Sequence, residues 1–289
     1  MKNDDIDYIG VDIGGSHITV ARIDKQSRCI ETGSIQREYV DAHMNSNEII
    51  KKWGESIQKI IKNKQNTLIG IAMPGPFDYK EGISYINGQD KFDDLYKKNV
   101  KILIANELNM RSDQIEFVND AASFLQGEIL SMGKEGLDSV IGITLGTGLG
   151  SAYTQYGQAF DADLWRFPFK NGIAEDYLST RWFVKKFYEA TGEKVFDLKD
   201  ILERYQQHPY TTKMFAHFSN NLASFLYQFV DLKEPELIVI GGNMSKAGNY
   251  FLNEVDIILK KQHINVPIRL ARLGEKATLM GAVYNWIIT

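Results

Sequence analysis

Short apolar runs alternate with longer helical patterns along the first part of the chain. Apolar runs bounded by glycine, proline or polar residues predict buried strands, and apolar positions three and four apart predict helices. The predicted strands are residues 8–13, 17–22, 29–37, 68–72 and 115–118. The predicted helices are residues 48–62, 100–108 and 121–130, and the polar stretch 82–94 is interpreted as a loop. This order indicates an α/β fold with a central mixed sheet.

The second part of the chain repeats this order with variations. A strand begins at Val140, and further strands are predicted at residues 150–153, 237–240 and 266–270. Helices are predicted at residues 174–191, 215–229 and 277–288. Because no low-complexity linker separates the two sets, the domain boundary is placed near Val118, where the first set of strands ends.

One short pattern occurs in both sets. Residues 9–16 read Ile-Gly-Val-Asp-Ile-Gly-Gly-Ser, and residues 141–148 read Ile-Gly-Ile-Thr-Leu-Gly-Thr-Gly. In each copy an apolar strand with one polar residue, Asp12 or Thr144, runs into a glycine-rich turn and a second strand. Glycine lets a backbone approach a ligand closely, so both hairpins are candidates for cradling phosphate. Two such hairpins indicate two similar domains that face one nucleotide.

Composition narrows the classes of function. The 289 residues, 44% of them hydrophobic, allow one or two domains with buried cores. A net charge of −4 without a basic run argues against nucleic acid as a partner. No apolar run approaches the roughly 20 residues that span a bilayer, so no membrane partner is expected. The single cysteine, Cys29, and an N-terminus without a signal-peptide pattern predict a reducing, cytoplasmic location.

The first hairpin carries a carboxylate beside its glycines. Asp12 precedes Gly14, Gly15 and Ser16. A carboxylate in this place can hold Mg²⁺, often through water, because Mg²⁺ prefers oxygen ligands and keeps several waters. The alternative is a hairpin turn that Asp12 merely caps. That alternative is weaker, since an aspartate inside an apolar strand is costly to bury without a partner.

The second hairpin and a later glycine pair are candidates for the rest of a nucleotide site. The hairpin's backbone N–H groups and one hydroxyl could bind the β- and γ-phosphate oxygens; the residues are Gly146, Thr147, Gly148 and Gly150. A very apolar strand ends in Gly241-Gly242, which could pass under an adenine or a ribose. A tight strand–helix turn is an equally good interpretation of that pair.

Asn119-Asp120 stands at the junction of a predicted strand and a predicted helix. Phosphoryl transfer to a hydroxyl needs a base that accepts the proton and a neighbour that orients the alcohol. An aspartate at the C-terminal end of a strand suits the role of the base. An ordinary helix N-cap explains the same two residues equally well, because Asn and Asp are favoured there.

Together these segments resemble the ROK family of sugar kinases and related repressors, over most of the chain. The family's first phosphate motif is similar to residues 9–16, and its Pro-Gly-Pro segment is similar to residues 73–77. Its Asn-Asp pair matches Asn119-Asp120, with Glu128 further along the helix. Its second phosphate motif resembles residues 145–151, and its adenosine motif resembles residues 238–243. Five motifs in the right order make the resemblance specific.

The resemblance implies two ribonuclease-H-like domains of the actin/hexokinase-like fold around an interdomain cleft, with the final helix returning to the first domain. The domains would be residues 1–118 with 277–289, and residues 119–276. It implies ATP- and Mg²⁺-dependent phosphorylation of a hydroxyl on a hexose or N-acetylhexosamine, in a glucokinase-like enzyme that forms a homodimer. Asp120 would be the base, and Asn119, Asn87 and Glu175 would contact the sugar.

The chain departs from the family pattern at residues 162–174. Many members have a Gly-Glu-x-Gly-His segment and a cysteine-rich zinc site there, but this stretch has neither His nor Cys. Zinc is therefore expected to be absent, and Asp161, Asp163 or Arg166 could replace the missing sugar ligands. The polyphosphate-using branch also lacks this zinc site, so a polyphosphate donor is one alternative. A non-catalytic sugar- or nucleotide-binding protein is another. DNA binding is not expected, because the first strand starts too early for a preceding helix-turn-helix.

Overall fold

The computed structural model describes residues 6–89, 91–133, 137 and 139–288. Its strands are β1 (Asp7–Ile13), β2 (His17–Asp24), β3 (Cys29–Ile30), β4 (Gln36–Tyr39), β5 (Thr67–Met73), β6 (Phe77–Asp78), β7 (Ile83–Ser84), β8 (Ile115–Asn119), β9 (Val140–Leu145), β10 (Leu149–Gln155), β11 (Gln158–Asp161), β12 (Pro168–Phe169), β13 (Gly172–Ile173), β14 (Leu237–Gly241) and β15 (Ile268–Leu270). Its helices are α1 (Ser46–Gln58), α2 (Val100–Leu108), α3 (Asp120–Ser131), α4 (Thr180–Thr191), α5 (Leu198–Tyr205), α6 (Pro209–Lys233), α7 (Leu252–Lys261), α8 (Glu275–Ala282) and α9 (Tyr284–Ile288). Short 3₁₀ segments cover Lys64–Asn66, Asp93–Leu95, Ser112–Gln114, Leu164–Arg166, Ala174–Asp176 and Asn243–Tyr250.

The chain folds into two compact units. Unit 1 comprises Met1–Glu135 and Glu275–Thr289, and unit 2 comprises Gly136–Gly274. Helix α3 belongs to unit 1 because it packs along α8, so the division falls after this helix rather than at Val118. Helices α8 and α9 are the returning C-terminal part of unit 1.

Unit 1 is built on a mixed sheet in the order β3-β2-β1-β5-β8, with β4 also paired to β2. Strands β1 and β2 are antiparallel, whereas β1, β5 and β8 run parallel. Successive side chains of a strand point to opposite faces. Ile9, Val11 and Ile13 therefore lie together in the hydrophobic core with Trp53 of α1. Asp12, on the alternate face, shares the side of β1 on which Gly10 meets α8.

Helix α8 packs unusually closely on this sheet and on α3. A Cβ at Gly10 of β1 or at Gly70 of β5 would overlap a backbone carbonyl of α8. The contact between α3 and α8 is equally close, at Gly127 and Gly281. Because both helices begin near the end of β1 that carries Asp12, this packing fixes the backbone of their first turns.

Unit 2 repeats the strand pattern of unit 1. Its sheet has the order β11-β10-β9-β14-β15, with β9 and β10 antiparallel and β9, β14 and β15 parallel. A separate core of phenylalanines from α4 and α6 covers it, including Phe183, Phe218 and Phe225. The predicted fold class, α/β with two similar mixed-sheet domains, is confirmed.

Several predicted element boundaries were wrong. The predicted strand 29–37 is two strands, β3 and β4, interrupted at Gly33, which has a φ of +76°. The predicted helix 174–191 is a 3₁₀ turn followed by α4, and the predicted helix 277–288 breaks at Val283. Helix α6 begins before residue 215, at Pro209, because proline fits the first helical position. Helices α5 and α7 were not predicted.

None of the helices in the described part of the chain is both long and apolar enough to cross a membrane.

Candidate functional site

Asp12 lies one residue from the end of β1, in the middle of the unit 1 sheet. Its neighbours in register are Thr19 of β2 and Ala72 of β5. Burial raises the pKa of Asp12 to about 7, and the negative charges of Asp120 and Glu275 add to the rise, against a lowering by Arg37. A carboxyl group with a pKa near 7 binds either a proton or a cation readily at neutral pH.

The turn after Asp12 presents unused backbone N–H groups. Gly14 donates its N–H to the carbonyl of His17 at 2.9 Å, which closes the hairpin. Gly14, Gly15 and Ser16 are exposed. Within the described residues, the amides of Gly15 and Ser16 donate no hydrogen bond. Two adjacent free N–H groups in a tight turn form a concave surface that suits an anion, and phosphate binding there stays a prediction.

Asn119 ends β8 and caps α3. Its side-chain oxygen accepts the N–H of Ala122 at 3.0 Å, and its amide nitrogen donates to the Tyr79 hydroxyl at 3.1 Å. Tyr79 in turn donates to the carbonyl of Met73 at 3.1 Å, so this side chain is held by the end of β5. The N-cap interpretation of Asn119 is thus realised in the structure, and a sugar contact would be an additional role.

Asp120 occupies the first turn of α3 and is only partly exposed. Its Oδ1 accepts the N–H of Ala121 at 2.8 Å. Burial raises the pKa of Asp120 above its ordinary range, and the positive charge of Lys91 opposes that rise. A carboxylate with a raised pKa and a fixed orientation is suited to accept a proton from a hydroxyl.

Lys91 is a residue that the sequence analysis left inside a polar loop. Its Cδ lies 3.7 Å from the position that a Cβ would take at Gly15, so the side chain runs beside the first turn. The one signal in the sequence was its place four residues after Asn87. Asn87 itself is exposed, and within the described residues it makes no hydrogen bond to Asn119 or Asp120.

The carboxylates around Asp12 suit one Mg²⁺ held largely through water. Among the residues that the structure describes, Asp12 forms no ion pair, and Arg37 pairs with Glu275 instead. The negative charges of Asp120 and Glu275 act on it and are only partly offset. No group of three or more His, Cys, Asp or Glu able to hold a metal occurs in the part of the chain that the structure describes. A magnesium ion with one carboxylate ligand and several waters fits this donor set.

The second glycine turn, in unit 2, has the same character as the first. Gly146 donates its N–H to Gly148 at 3.0 Å, and among the described residues the amides of Thr147 and Gly148 donate no hydrogen bond. The space beside Gly146 is open, because a Cβ there would have no heavy atom within 4 Å. Gly150 pairs in register with Thr144 on the neighbouring strand. This open turn fits phosphate oxygens of a nucleotide.

Glu175 is fixed against the second turn. Its Oε2 accepts the N–H of Leu149 at 3.0 Å, and its Oε1 pairs with Arg181. A Cβ at Gly148 would lie 2.5 Å from the Glu175 carboxylate, which explains why glycine is needed there. Glu175 therefore supports the phosphate turn in the structure, a role that the sequence analysis did not foresee.

The Gly241-Gly242 pair lies beside the base of the second turn. Gly241, the last residue of β14, is in register with Thr144. Gly242 has a φ of +81°, and a side chain there would overlap the backbone of Leu145. The tight turn and the close approach both require glycine, as a backbone that passes under a nucleoside would.

The segment where zinc ligands were missing folds as a small hairpin, β12 and β13, in unit 2. Of the three residues proposed to replace the sugar ligands, Arg166 pairs with Asp163, and Asp161 accepts the N–H of Asp163 at 2.8 Å. These groups are thus held by one another, and the sugar ligands of this segment stay a prediction.

The structure brings Asp12, the first turn, Lys91 and Asp120 together in unit 1. It places the second turn, Glu175 and Gly241-Gly242 in unit 2. Two units with the same sheet topology, each with a glycine turn that offers free amides, have the actin/hexokinase-like fold that the sequence predicts.

Comparison with known proteins identifies the family. The model of the ROK family matches residues 8–161 and 170–288, and the chain belongs to that family. A glucokinase of Thermotoga maritima is 23% identical over 95% of both chains. An N-acetyl-D-glucosamine kinase of Mannheimia succiniciproducens is 21% identical over 94% of this chain and 97% of its own. The structure resembles that of a ROK family glucokinase from Streptomyces griseus in complex with glucose and AMPPNP, with a TM-score of 0.77, 22% identity, and coverage of 96% and 97%.

Proposed function

We propose that this chain is an ATP-dependent sugar kinase that phosphorylates a hydroxyl of a hexose or N-acetylhexosamine. The observation that carries the proposal is Asp120, a carboxylate of raised pKa held at the first turn of α3 in electrostatic contact with Asp12. A carboxylate base, a carboxylate suited to magnesium and a phosphate-binding turn are the parts that phosphoryl transfer requires. Membership of the ROK family and the names of the similar kinases support it.

Asp120 acts as the general base in this proposal. Burial raises its pKa and so makes its carboxylate a better proton acceptor than an exposed aspartate. The N–H of Ala121 holds Oδ1, which orients Oδ2 for the sugar hydroxyl. The hydroxyl proton passes to Asp120 as the oxygen attacks the γ-phosphorus and the bond to the β-phosphate oxygen breaks.

The two glycine turns hold the phosphates. The free amides of Gly15 and Ser16 would receive oxygens of the transferred group, and the free amides of Thr147 and Gly148 would hold the donor. Asp12 would hold Mg²⁺ through water, and such an ion would partly neutralise the negative charge of the phosphates. Gly241 and Gly242 would lie under the nucleoside.

The acceptor is proposed as a hexose or an N-acetylhexosamine because both kinds of kinase occur among the similar proteins. Asn119, Asn87 and Glu175 are the residues proposed to contact it. The homodimer and the absence of zinc also stay predictions. Light scattering and metal analysis of the purified protein test them.

A coupled assay over a panel of hexoses, N-acetylhexosamines and their epimers tests the proposal, with ATP and polyphosphate as parallel donors. Formation of ADP that depends on one sugar supports it. Transfer from polyphosphate alone would show a polyphosphate-dependent kinase. Stabilisation by a sugar or nucleotide with no transfer from either donor would show a binding protein instead of an enzyme.

A further inference from the structure

Lys91 is a half-buried cation beside the first glycine turn, and it forms no ion pair with any residue that the structure describes. Within the described residues its ammonium group forms no ion pair and no hydrogen bond, whereas Lys59 pairs with Glu38 and Lys98 pairs with Asp94. Asp120 acts on this cation from beyond ion-pair distance, so an anion that binds the ammonium group directly would be favoured. The position therefore suits an anion that is not part of the chain.

The backbone that carries Lys91 is fixed. The next residue, Phe92, has a left-handed φ of 57° and a ring buried against Trp53, with centroids 5.4 Å apart. The N–H of Phe92 donates to the carbonyl of Ala42 at 2.9 Å. The position of the Lys91 backbone is thus fixed by the packing of Phe92. Groups that act on a reacting centre are held in the same way.

Three features converge on one place. The stem of Lys91 runs 3.7 Å from the Cβ position of Gly15, and the turn at Gly15 offers two free amides. The charge of Lys91 also acts on Asp120, which lies at the start of α3. An anion bound by the turn would lie within reach of the lysine. A substrate hydroxyl held by Asp120 would approach the same anion.

We propose that Lys91 binds the phosphoryl group that is transferred, and stabilises the negative charge on its oxygens as the bond to the donor breaks. This inference rests on the proposed function and adds a catalytic cation to it. A charged donor aimed at oxygens that gain charge in the transition state contributes more to the reaction rate than to ground-state binding.

Binding of AMPPNP and of ADP, measured by calorimetry with Mg²⁺ on the full chain, tests the inference without a sugar. Lys91→Met keeps the apolar stem and removes the charge. We expect this variant to bind AMPPNP about tenfold more weakly than the wild type does and to keep its affinity for ADP within about twofold. The reason is that only AMPPNP has the terminal phosphoryl group. Lys91→Arg should retain most of the AMPPNP affinity. Lys80→Met, at an exposed lysine of the neighbouring loop, is the matched control and should change neither.

Kinetics add a second measure: in an active enzyme Lys91→Met should lower kcat about 100-fold and change the sugar KM little.

An unchanged ratio of AMPPNP to ADP affinity in Lys91→Met would overturn the inference while leaving the kinase proposal intact. A wild-type protein that transfers no phosphate but shows the Lys91-dependent ratio would overturn the kinase proposal alone. If the wild type binds AMPPNP no better than ADP, inorganic tripolyphosphate replaces AMPPNP as the probe. Equal affinity of the wild type and Lys91→Met for tripolyphosphate would then overturn the inference.

Discussion

The charge of Asp120, at the start of α3, reaches Asp12, at the end of β1, and helps to raise the pKa of Asp12 to about 7. Burial is the larger cause, and Glu275 at the start of α8 contributes as well. The close packing of α8 on Gly10 and of α3 on α8 holds these helix starts in place. The protein thus keeps two carboxylates under mutual repulsion, an arrangement that a bound cation relieves.

We expect Asp12→Asn to stabilise the ligand-free protein above pH 7. The pKa of Asp12 is raised from 3.8, so the folded state holds this proton more tightly than the unfolded chain does. The stability from this group is present below about pH 4 and is lost as the pH rises through 7. The neutral amide avoids that loss, which amounts to about 2–4 kcal/mol at pH 8. Urea unfolding of both proteins from pH 5 to 8 measures it, and a difference that does not grow with pH would refute the assignment.

Magnesium should stabilise the wild type through the same residue. With a dissociation constant of about 1 mM, 10 mM Mg²⁺ contributes about 1.4 kcal/mol, which raises Tm by about 2–4 °C. The rise should be larger at pH 8 than at pH 6, because protonated Asp12 cannot act as a ligand. Thermal unfolding of Asp12→Asn under the same conditions is the control. An equal Mg²⁺ effect in that variant would show that the ion binds elsewhere.

Glu175→Ala should destabilise the protein and weaken nucleotide binding together. The change leaves the buried N–H of Leu149 without its acceptor, at a cost of about 1–3 kcal/mol, and removes the support of the second turn. Glu175→Gln keeps an acceptor and should cost less than about 1 kcal/mol. Arg181→Ala breaks only an ion pair at the surface, so it should change the free energy of unfolding by no more than about 1 kcal/mol. If Glu175→Ala instead raised only the sugar KM, its role would be that of a sugar ligand.

Gly70→Ala should destabilise the protein by about 3 kcal/mol or more, because its methyl group would overlap a backbone carbonyl of α8 that cannot move aside. The free energy of urea unfolding measures the effect. Gly146→Ala is the matched control, since the space beside Gly146 is open, and it should change stability by less than about 0.5 kcal/mol. A small effect of Gly70→Ala would show that α8 lies further from the sheet.

The sequence predicts the parts of this fold that depend on neighbouring residues. The two hairpins follow from apolar strands that run into glycines, and α2 is predicted with its observed limits because its apolar pattern begins and ends with the helix. The start of α6 was missed although Pro209 marks it.

Contacts between residues that are far apart in the sequence could not be predicted from the pattern of apolar and polar positions. Apart from its place four residues after Asn87, nothing in the sequence indicates that Lys91 lies beside Gly15, because that position depends on how the buried ring of Phe92 anchors the loop. Glu175 was assigned to the sugar by resemblance, and its contact with Leu149 depends on a turn 26 residues away. The need for glycine at position 70 depends on its close contact with α8, which comes from the C-terminal part of the chain.

The most direct test of the central claim is the turnover of Asp120→Asn, measured beside its binding of AMPPNP. The amide keeps the shape of the side chain but cannot accept the hydroxyl proton, so kcat should fall by about 10²–10⁴-fold. Folding and nucleotide affinity should stay close to those of the wild type, because the two glycine turns are unchanged. An Asp120→Asn protein with unaltered kcat would contradict the assignment of the base, and with it the mechanism proposed for this site.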